Sequence, residues 1–411
     1  MEPERKFQSV SATPMNPNWD KLVKREHNIY TRPDDIRSDF ERDYTRILHS
    51  NGYRRLKTKT QVFFATKNDH ICTRIEHVNH VASISTTIAK YLGLNEELVS
   101  AIALGHDVGH APFGHHGETI IKELIADEIK GGSFWHEKNS LFFLDQIETL
   151  KDSEGYEKNL DLTYAVRDGI ISHCGEVNEN AIFPRKENID LYQIEKPNQY
   201  QPYTWEGCIV KISDKIAYLG RDIEDAISFK ILNFKNYKEL KSILQKHLND
   251  SRIREINNGN LIHGFITDLL QNSSPENGIR LSPNYLGLMN DVKRFNYSVI
   301  YNYWRIEEFK NFATTVIHTI FRTLMRYYEL QDYERNISRS RSNFPVLSTF
   351  FEEWLIKYSN IDLSKRKNRK LKNEVIYDLN NRDEYVKCCL HFISGMTDSF
   401  AEKVYHEIIS F

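Results

Sequence analysis

The chain has 411 residues, of which 40% are hydrophobic and 27% are charged, and its net charge is −2 at pH 7. These proportions are typical of a globular protein and argue against an intrinsically disordered chain. The nearly neutral net charge also argues against a surface coated with positive charge for nucleic acid, although a local basic patch is compatible with it.

The cysteine pattern and the shortness of the apolar runs indicate the cellular compartment of the protein. Five cysteines without a Cys-x-x-Cys spacing favour neither a disulfide framework nor a thiolate zinc site, and they fit a reducing compartment. The N-terminus lacks the apolar segment of a signal peptide. No run approaches the ~18 apolar residues that span a bilayer. We therefore expect a cytoplasmic protein with no membrane association.

Composition and periodicity divide the chain into a polar N-terminal arm (1–34), a helical core (35–235) and a C-terminal helical region (236–411). The first twenty residues are polar and contain three prolines, so they are expected to extend from the fold rather than pack on it. The C-terminal region is expected to complete the fold and to provide an oligomer interface.

Helical patterns dominate from about residue 39. Apolar residues at steps of three and four predict a helix over 73–91, and the string LVSAIAL predicts another over 98–104. Glycine and proline then interrupt regular structure in GHDVGHAPFGHHGE (105–118). Further helices are predicted over 119–150, 161–173, 208–227, 234–250, 258–271, 284–330, 346–359 and 384–410, and the polar stretch 175–207 is expected to be the longest loop. Because no strands alternate with these helices, the predicted fold class is all-α.

Six of the sixteen histidines lie between residues 77 and 116. A single histidine near an apolar helix is usually a core or surface residue, so the argument depends on the group. His77 lies on the apolar face of the first predicted helix, where a buried imidazole needs a partner. His106 and Asp107 directly follow the second apolar helix, which brings a nitrogen and a carboxylate into the interior.

Asp214 lies among apolar residues in the string CIVKISDKIAYLGRD (208–222). Tyr218, Arg221 and Asp222 follow it along one helical stripe. A polar stripe on an apolar helix faces either water or a polar site, and the histidine cluster favours the site. Two imidazoles and two carboxylates suit a divalent ion such as Mn²⁺, Fe²⁺ or Zn²⁺ better than Ca²⁺. Such an ion activates a phosphoryl oxygen or a bound water.

The order His77, His106–Asp107, Asp214 resembles the H…HD…D pattern of the HD phosphohydrolase superfamily. Longer strings are similar to its deoxynucleoside triphosphate triphosphohydrolase (dGTPase-like) branch: YRRLKTKTQVF (53–63), HICTRIEHVNHVASI (70–84), ALGHDVGHAPFGHHGE (103–118), FWHEKNS (134–140), SDKIAYLGRDIED (213–225) and SGMTDSFAEKVY (394–405). The resemblance implies an all-helical enzyme that splits a dNTP into a deoxynucleoside and inorganic tripolyphosphate. It also implies a homo-oligomer, dimer-based, tetrameric or hexameric, and a divalent cofactor that is Mn²⁺, Mg²⁺, Fe²⁺ or Zn²⁺.

The resemblance assigns roles to thirteen residues. The implied metal ligands are His77, His106, Asp107 and Asp214, and the implied catalytic residues are the histidines His110 and His136 with Glu118 orienting them. The implied substrate contacts are Arg74, His115, Lys215 and Tyr218 for the phosphates, and Gln61 and Asp222 for the sugar. The sequence departs from some relatives at Glu137–Lys138, where an Asn and a Gln are frequent, which leaves details of the acid–base network open.

Two other functions are compatible with parts of this pattern. Another HD phosphohydrolase, acting on nucleoside monophosphates, cyclic nucleotides or guanosine polyphosphates, would keep H…HD…D but is not expected to keep PFGHHGE or DKIAYLGRD. A non-enzymatic regulator or nucleic-acid binder would have a broken ligand set or a strongly basic face, and the sequence has neither. A preference for dGTP, the native metal, and a nucleotide or single-stranded DNA effector stay open, as does which histidine is the acid.

Overall fold

The computed structural model describes residues 4–27, 29, 35–63, 71–174, 181–248, 258–329 and 333–410. Its first half contains the helices α1 (Trp19–Leu22), α2 (Asp39–His49), α3 (Asn51–Arg55), α4 (Arg74–Leu92), α5 (Glu96–Gly105), α6 (Gly114–Glu128), α7 (His136–Phe142) and α8 (Tyr164–Ser172). A π-helical turn (Phe143–Ile147) extends α7. The strands β1 (Thr149–Lys151) and β2 (Glu157–Asn159) then form an antiparallel hairpin in which Leu150 pairs with Lys158.

The second half contains the helices α9 (Trp205–Ser228), α10 (Phe234–Leu248), α11 (Asn258–Asn272), α12 (Pro283–Phe295), α13 (Trp304–Glu329), α14 (Tyr333–Ser340), α15 (Pro345–Tyr358), α16 (Leu363–Asn368), α17 (Arg382–Ser394) and α18 (Asp398–Ile409). A π-helical turn (Asn296–Tyr301) follows α12. The prediction of an all-α fold is confirmed. Within the described part of the chain, no helix has the length and apolar character needed to cross a membrane.

The helices α4, α5, α8 and α9 pack around one another and form the centre of the fold. A capping box at Thr73 and Glu76 starts α4, and Gly93 ends it with a φ of +81°, a conformation that glycine adopts without strain. The Asn95 side chain accepts hydrogen bonds from the first turn of α5. Because α5 is buried on nearly all its faces, the residues that follow its last turn also lie inside the protein.

The N-terminal residues pack on this core, so the expectation of an unpacked arm over residues 1–20 is wrong for the described part of that segment. Phe7 is fully buried, its ring meets Trp205 edge-to-face at 5.0 Å, and its N–H donates to the Leu92 carbonyl. The buried carboxylate of Glu206 accepts hydrogen bonds from the backbone N–H of Ala12 and from Asn95 N–H. A few isolated apolar residues hold this segment in place, and they leave no periodic pattern in the sequence.

Some predicted helices are interrupted. The range 119–150 contains the end of α6, α7, the first π-helical turn and the start of β1. The range 284–330 is divided by the second π-helical turn, and 384–410 is divided at Gly395–Thr397. Within the predicted loop 175–207, residues 181–204 are irregular apart from a 3₁₀ turn at Leu191–Gln193, and residues 175–180 lie outside the described part. The division at residues 34 and 235 stays a prediction.

Candidate active site

Three helices bring the four predicted metal ligands together. His77 lies in the first turn of α4, and His106 and Asp107 directly follow α5. One potential ligand atom from each of these three residues lies within 4.8 Å of the others. From α9, Asp214 Oδ1 lies 3.0 Å from His77 Nε2 and 3.9 Å from His106 Nε2. Residues up to 137 positions apart in the chain thus form one compact, almost wholly buried group.

The hydrogen bonding of His106 fits a metal ligand. Its Nδ1 lies 2.7 Å from the carbonyl oxygen of Ala103, an acceptor, so Nδ1 carries the proton and Nε2 keeps its lone pair. His106 is fully buried, and Nε2 has no hydrogen-bond partner. A buried acceptor without a partner is unfavourable, and a cation held between Nε2, His77 and the two carboxylates would remove that cost. The mixed nitrogen and oxygen donors suit a divalent transition ion.

A pair of stacked imidazoles lies beside this group. The rings of His110 and His136 are nearly parallel, with centroids 3.9 Å apart. Glu118 from α6 fixes His136: one carboxylate oxygen lies 3.0 Å from Nδ1, and the other accepts the His136 backbone N–H. His110 Nε2 lies 3.0 Å from Asp107 Oδ1. The Asp107 carboxylate therefore joins the candidate metal ligands to the imidazole pair.

The two stacked histidines differ in proton affinity. Burial lowers the pKa of His136, but the adjacent carboxylates of Glu137 and Glu118 outweigh it and raise that pKa well above its usual value. Burial lowers the pKa of His110 well below its usual value, and the positive charges of Arg74 and His136 lower it further. At neutral pH His136 is therefore the charged member of the pair and His110 the neutral member.

Two of the four predicted phosphate-binding residues contact these two groups, and the other two lie near Asp214 in the sequence of α9. Arg74 is buried and donates from Nη1 to Asp107 Oδ2 at 2.8 Å, while its Nη2 is buried without a hydrogen-bond partner. The His115 side chain is 73% exposed, and its Nδ1 lies 3.5 Å from Glu118. Lys215 and Tyr218 are half-buried on α9, directly after Asp214 and one turn beyond it.

The predicted sugar-binding residues lie in two separate segments. Gln61 is half-buried, and its Oε1 has no hydrogen-bond partner. Asp222 is buried on α9, two turns beyond Asp214, and it accepts a hydrogen bond from the Tyr301 hydroxyl of the second π-helical turn. Burial raises the pKa of Asp222 to about 7, so this carboxyl group holds its proton far more readily than an exposed aspartate.

Sequence reasoning missed the residues that hold the loop between α5 and α6. The fully buried amino group of Lys59 donates to the carbonyl oxygens of His110 and Ser394. Asp398 accepts the backbone N–H of Phe113 through Oδ1 and the backbone N–H and hydroxyl of Thr60 through Oδ2. The string SGMTD (394–398), which resembles the same family, was the only hint in the sequence quoted above. It could not reveal these contacts, because the residues that Ser394 and Asp398 contact here are more than 280 positions away.

His173 and Cys174, after α8, were also missed. The His173 ring lies 4.8 Å from the ring of His106 and 5.7 Å from that of His136. One atom each of His136, His173 and Cys174 lies within 4.8 Å of the others. A histidine and a cysteine at the end of a predicted helix carried no spacing that distinguished them from core residues.

Comparisons with known proteins agree with this geometry. The HD domain family matches residues 74–219, which include all four candidate metal ligands. A deoxyguanosinetriphosphate triphosphohydrolase-like protein of Caldanaerobacter subterraneus subsp. tengcongensis is 36% identical over 289 residues, 70% of this chain and 72% of the relative. A protein of the same description from Clostridium tetani is 34% identical over 75% of this chain and 80% of its own length. Another, from Rickettsia bellii, is 30% identical over 95% of this chain and 97% of its own length.

Proposed function

We propose that this protein, which belongs to the family of deoxyguanosinetriphosphate triphosphohydrolase-like proteins with an HD domain, hydrolyses dNTPs to the deoxynucleoside and inorganic tripolyphosphate. Family membership alone makes it a metal-dependent phosphohydrolase, and the substrate and product are the proposal. The observation that carries it is the 3.0 Å contact between His110 Nε2 and Asp107 Oδ1, because this contact puts an acid–base pair beside the candidate metal ligands.

The proposed metal ligands are His77, His106, Asp107 and Asp214. Their convergence and the unpartnered Nε2 of His106 support the assignment. The bound ion, whether Mn²⁺, Mg²⁺, Fe²⁺ or Zn²⁺, supplies Lewis-acid activation of a phosphoryl oxygen.

Arg74, Lys215, Tyr218 and His115 are proposed to bind the triphosphate. A triphosphate carries roughly four negative charges near neutral pH, so cationic and hydrogen-bonding groups must surround it. The buried Nη2 of Arg74 has no partner among the residues that the structure describes and can donate to a phosphate oxygen while Nη1 stays on Asp107. The exposed His115 would contact the part of the triphosphate nearest to solvent.

Gln61 and Asp222 are proposed to bind the sugar. The Tyr301 hydroxyl fixes the Asp222 carboxyl group, which leaves the other carboxyl oxygen for a sugar hydroxyl. The unpartnered Oε1 of Gln61 is a second acceptor of the same kind. A buried acceptor such as Gln61 Oε1, without a partner among the described residues, favours a ligand whose hydroxyl can donate to it.

Release of intact tripolyphosphate requires water to attack the α-phosphorus while the bond to the sugar O5′ breaks. The departing oxygen would be an alkoxide unless it is protonated. His136 holds a proton for it and Glu118 fixes the ring, whereas neutral His110 can accept the proton that the attacking water loses. The proton taken up by His110 thus balances the one that His136 gives to O5′, and each such transfer typically contributes ~10²–10⁴-fold to the rate.

Product analysis tests the proposal. The protein is incubated with each dNTP and each matching NTP in the presence of Mn²⁺ or Mg²⁺, and tripolyphosphate is resolved from pyrophosphate and orthophosphate. We expect equal amounts of deoxynucleoside and tripolyphosphate from at least one dNTP, and much less from its NTP. Pyrophosphate with a nucleoside monophosphate, or orthophosphate with a diphosphate, would place the attack elsewhere and refute the proposal.

A further inference from the structure

A second group of side chains with potential metal-ligand atoms lies beside the stacked imidazoles and next to His106. It consists of His136 at the start of α7, and of His173 and Cys174 after α8. One potential ligand atom from each lies within 4.8 Å of the others. His136 and His173 are buried, and the Cys174 thiol is hydrogen-bonded to His136. Two imidazoles and a thiol make a donor set that differs from the nitrogen and oxygen set at His106.

The donor atoms are suitably arranged for a cation. His173 Nδ1 lies 2.6 Å from the Ile170 carbonyl oxygen, so it carries the proton and leaves the Nε2 lone pair free. Glu118 at 3.0 Å from His136 Nδ1 resembles the carboxylates that orient metal-bound histidines. Ligands of a tetrahedral zinc ion, at about 2.0–2.3 Å from the metal, lie roughly 3–4 Å from one another. Side-chain adjustments of about an ångström would therefore close this group around an ion.

A buried negative charge next to the group is an independent indication. Glu137 is 2% exposed, and its Oε2 lies 3.3 Å from His136 Nδ1 without forming a hydrogen bond. A buried carboxylate oxygen without a hydrogen bond is costly. Its charge would be better balanced by a divalent ion at the group than by one shared imidazolium.

We propose that His136, His173 and Cys174 form an inhibitory site for thiophilic divalent ions such as Zn²⁺ and Cd²⁺. Thiolate ligands select these ions over Mn²⁺ and Mg²⁺. Binding releases the thiol proton and the imidazolium proton to solvent, and the imidazole that coordinates the ion no longer has a proton to give to a leaving group. The inhibitory part of the inference rests on the proposed function, whereas the binding part does not.

The test uses the full chain loaded with Mn²⁺ and then titrated with Cd²⁺, whose bond to a thiolate produces a charge-transfer absorbance in the ultraviolet. Wild type should gain this absorbance up to one Cd²⁺ per chain, and turnover of dNTP should fall in parallel. Cys174→Ala should lose the absorbance. It should also need roughly tenfold or more Cd²⁺ for the same inhibition, because losing a metal-site partner commonly lowers affinity by 10- to 100-fold.

Two further variants serve as controls. Cys208→Ala removes a buried cysteine of α9 outside the group and should behave like wild type. His173→Gln should weaken Cd²⁺ binding as Cys174→Ala does. The test therefore still works if one of these two variants fails to fold. Each variant's inhibition by Cd²⁺ is measured relative to its own turnover without Cd²⁺.

The outcomes separate the two proposals. Absence of the absorbance in wild type, or equal Cd²⁺ sensitivity in wild type and Cys174→Ala, would overturn the site, since inhibition would then come from exchange at His106 and Asp107. A Cys174-dependent absorbance without loss of turnover would overturn the inhibitory role. The same absorbance in a protein that hydrolyses no dNTP would support the binding site and would count against the proposed function.

Discussion

His110 and His136 are the same side chain in two electrostatic surroundings. His136 contacts the carboxylates of Glu118 and Glu137, whereas His110 contacts the carboxylate of Asp107, whose other oxygen is bonded to Arg74. The consequence is a pair in which one ring holds a proton at neutral pH and its neighbour does not. The proposed acid and base, with ring centroids 3.9 Å apart, would thus keep distinct roles.

This asymmetry predicts the pH profile of a variant. Glu118→Gln keeps the shape of the side chain but removes one of the two charges that raise the pKa of His136. A proton donor is active below its pKa, so the fall in kcat on the alkaline side should begin at lower pH in the variant. We also expect kcat to fall by about 10²-fold or more with little change in KM.

The measurement is kcat and KM against pH for wild type, Glu118→Gln and the control Glu123→Gln, which changes an exposed residue of the same helix. The control should reproduce the wild-type profile. An alkaline limb that stays in place in Glu118→Gln would contradict the assignment of His136 as the donor.

A second variant tests the metal ligands. His106→Ala should lower turnover by roughly 10³-fold, because a metal ion contributes several kcal/mol to transition-state stabilisation. Mn²⁺ should raise the melting temperature of wild type, since it binds the folded state only, but not that of the variant. His80→Ala, on α4 outside both histidine groups, should keep both responses. Full turnover in His106→Ala would refute the site.

The site residues were predictable from the sequence because they lie close together in a distinctive string or in a stripe on one helix. His173, Cys174 and Lys59 could not be predicted in this way. Each of them reaches the site through a contact with a segment that is distant in the sequence. The buried amino group of Lys59 looks in the sequence like any lysine of a basic, polar stretch. The resemblance left the acid and base unassigned, and only the positions of Glu118 and Glu137 around His136 distinguish them.

Among the elements, α18 supports the candidate site although it carries none of the predicted site residues. Its first residue, Asp398, accepts two backbone N–H groups, one from Phe113 in the loop between α5 and α6 and one from Thr60. Phe113 has a φ of +64°, a left-handed conformation that costs about 1–3 kcal/mol in a non-glycine residue and needs support from its surroundings. The hydrogen bond that the Phe113 N–H donates to Asp398 is part of that support.

Asp398→Ala should therefore lower both stability and turnover. Leaving buried donors without an acceptor costs about 1–3 kcal/mol each, so the free energy of unfolding in urea should fall by roughly 2–4 kcal/mol. The matched control is Asp383→Ala, an exposed residue in the first turn of α17, which should change stability by less than about 0.5 kcal/mol. Equal effects of the two substitutions would contradict the supporting role of Asp398.

Element boundaries show where periodicity stops being informative. The central helices α4, α5 and α9 were predicted to within a few residues, because each has a clear apolar pattern and a capping residue. The range 284–330 was predicted as one helix because apolar residues continue through the π-helical turn at Asn296–Tyr301. An extra residue in a helical turn does not interrupt hydrophobicity, so the pattern does not report it.

At the scale of the whole molecule, the N-terminal segment belongs to the core. Phe7→Ala should lower the free energy of unfolding by about 3–5 kcal/mol, the usual range for deleting a buried phenylalanine ring. The reason is that Phe7 is fully buried against Trp205. Met15→Ala is the matched control, since Met15 is 95% exposed in the same segment. The measurement is the free energy of unfolding of both variants in urea. A Phe7→Ala protein as stable as wild type would mean that the segment is only loosely attached.

The hydrogen bond from Lys59 to Ser394 joins residues 335 positions apart, and it has a consequence for the protein's synthesis. The loop that carries His110 receives its last supports from Ser394 and Asp398, which a ribosome adds after nearly all of the preceding chain. A nascent chain therefore contains every candidate metal ligand long before the catalytic loop can be held in place. Activity should appear late and abruptly during translation, so that incomplete chains would not hydrolyse the proposed nucleotide substrate.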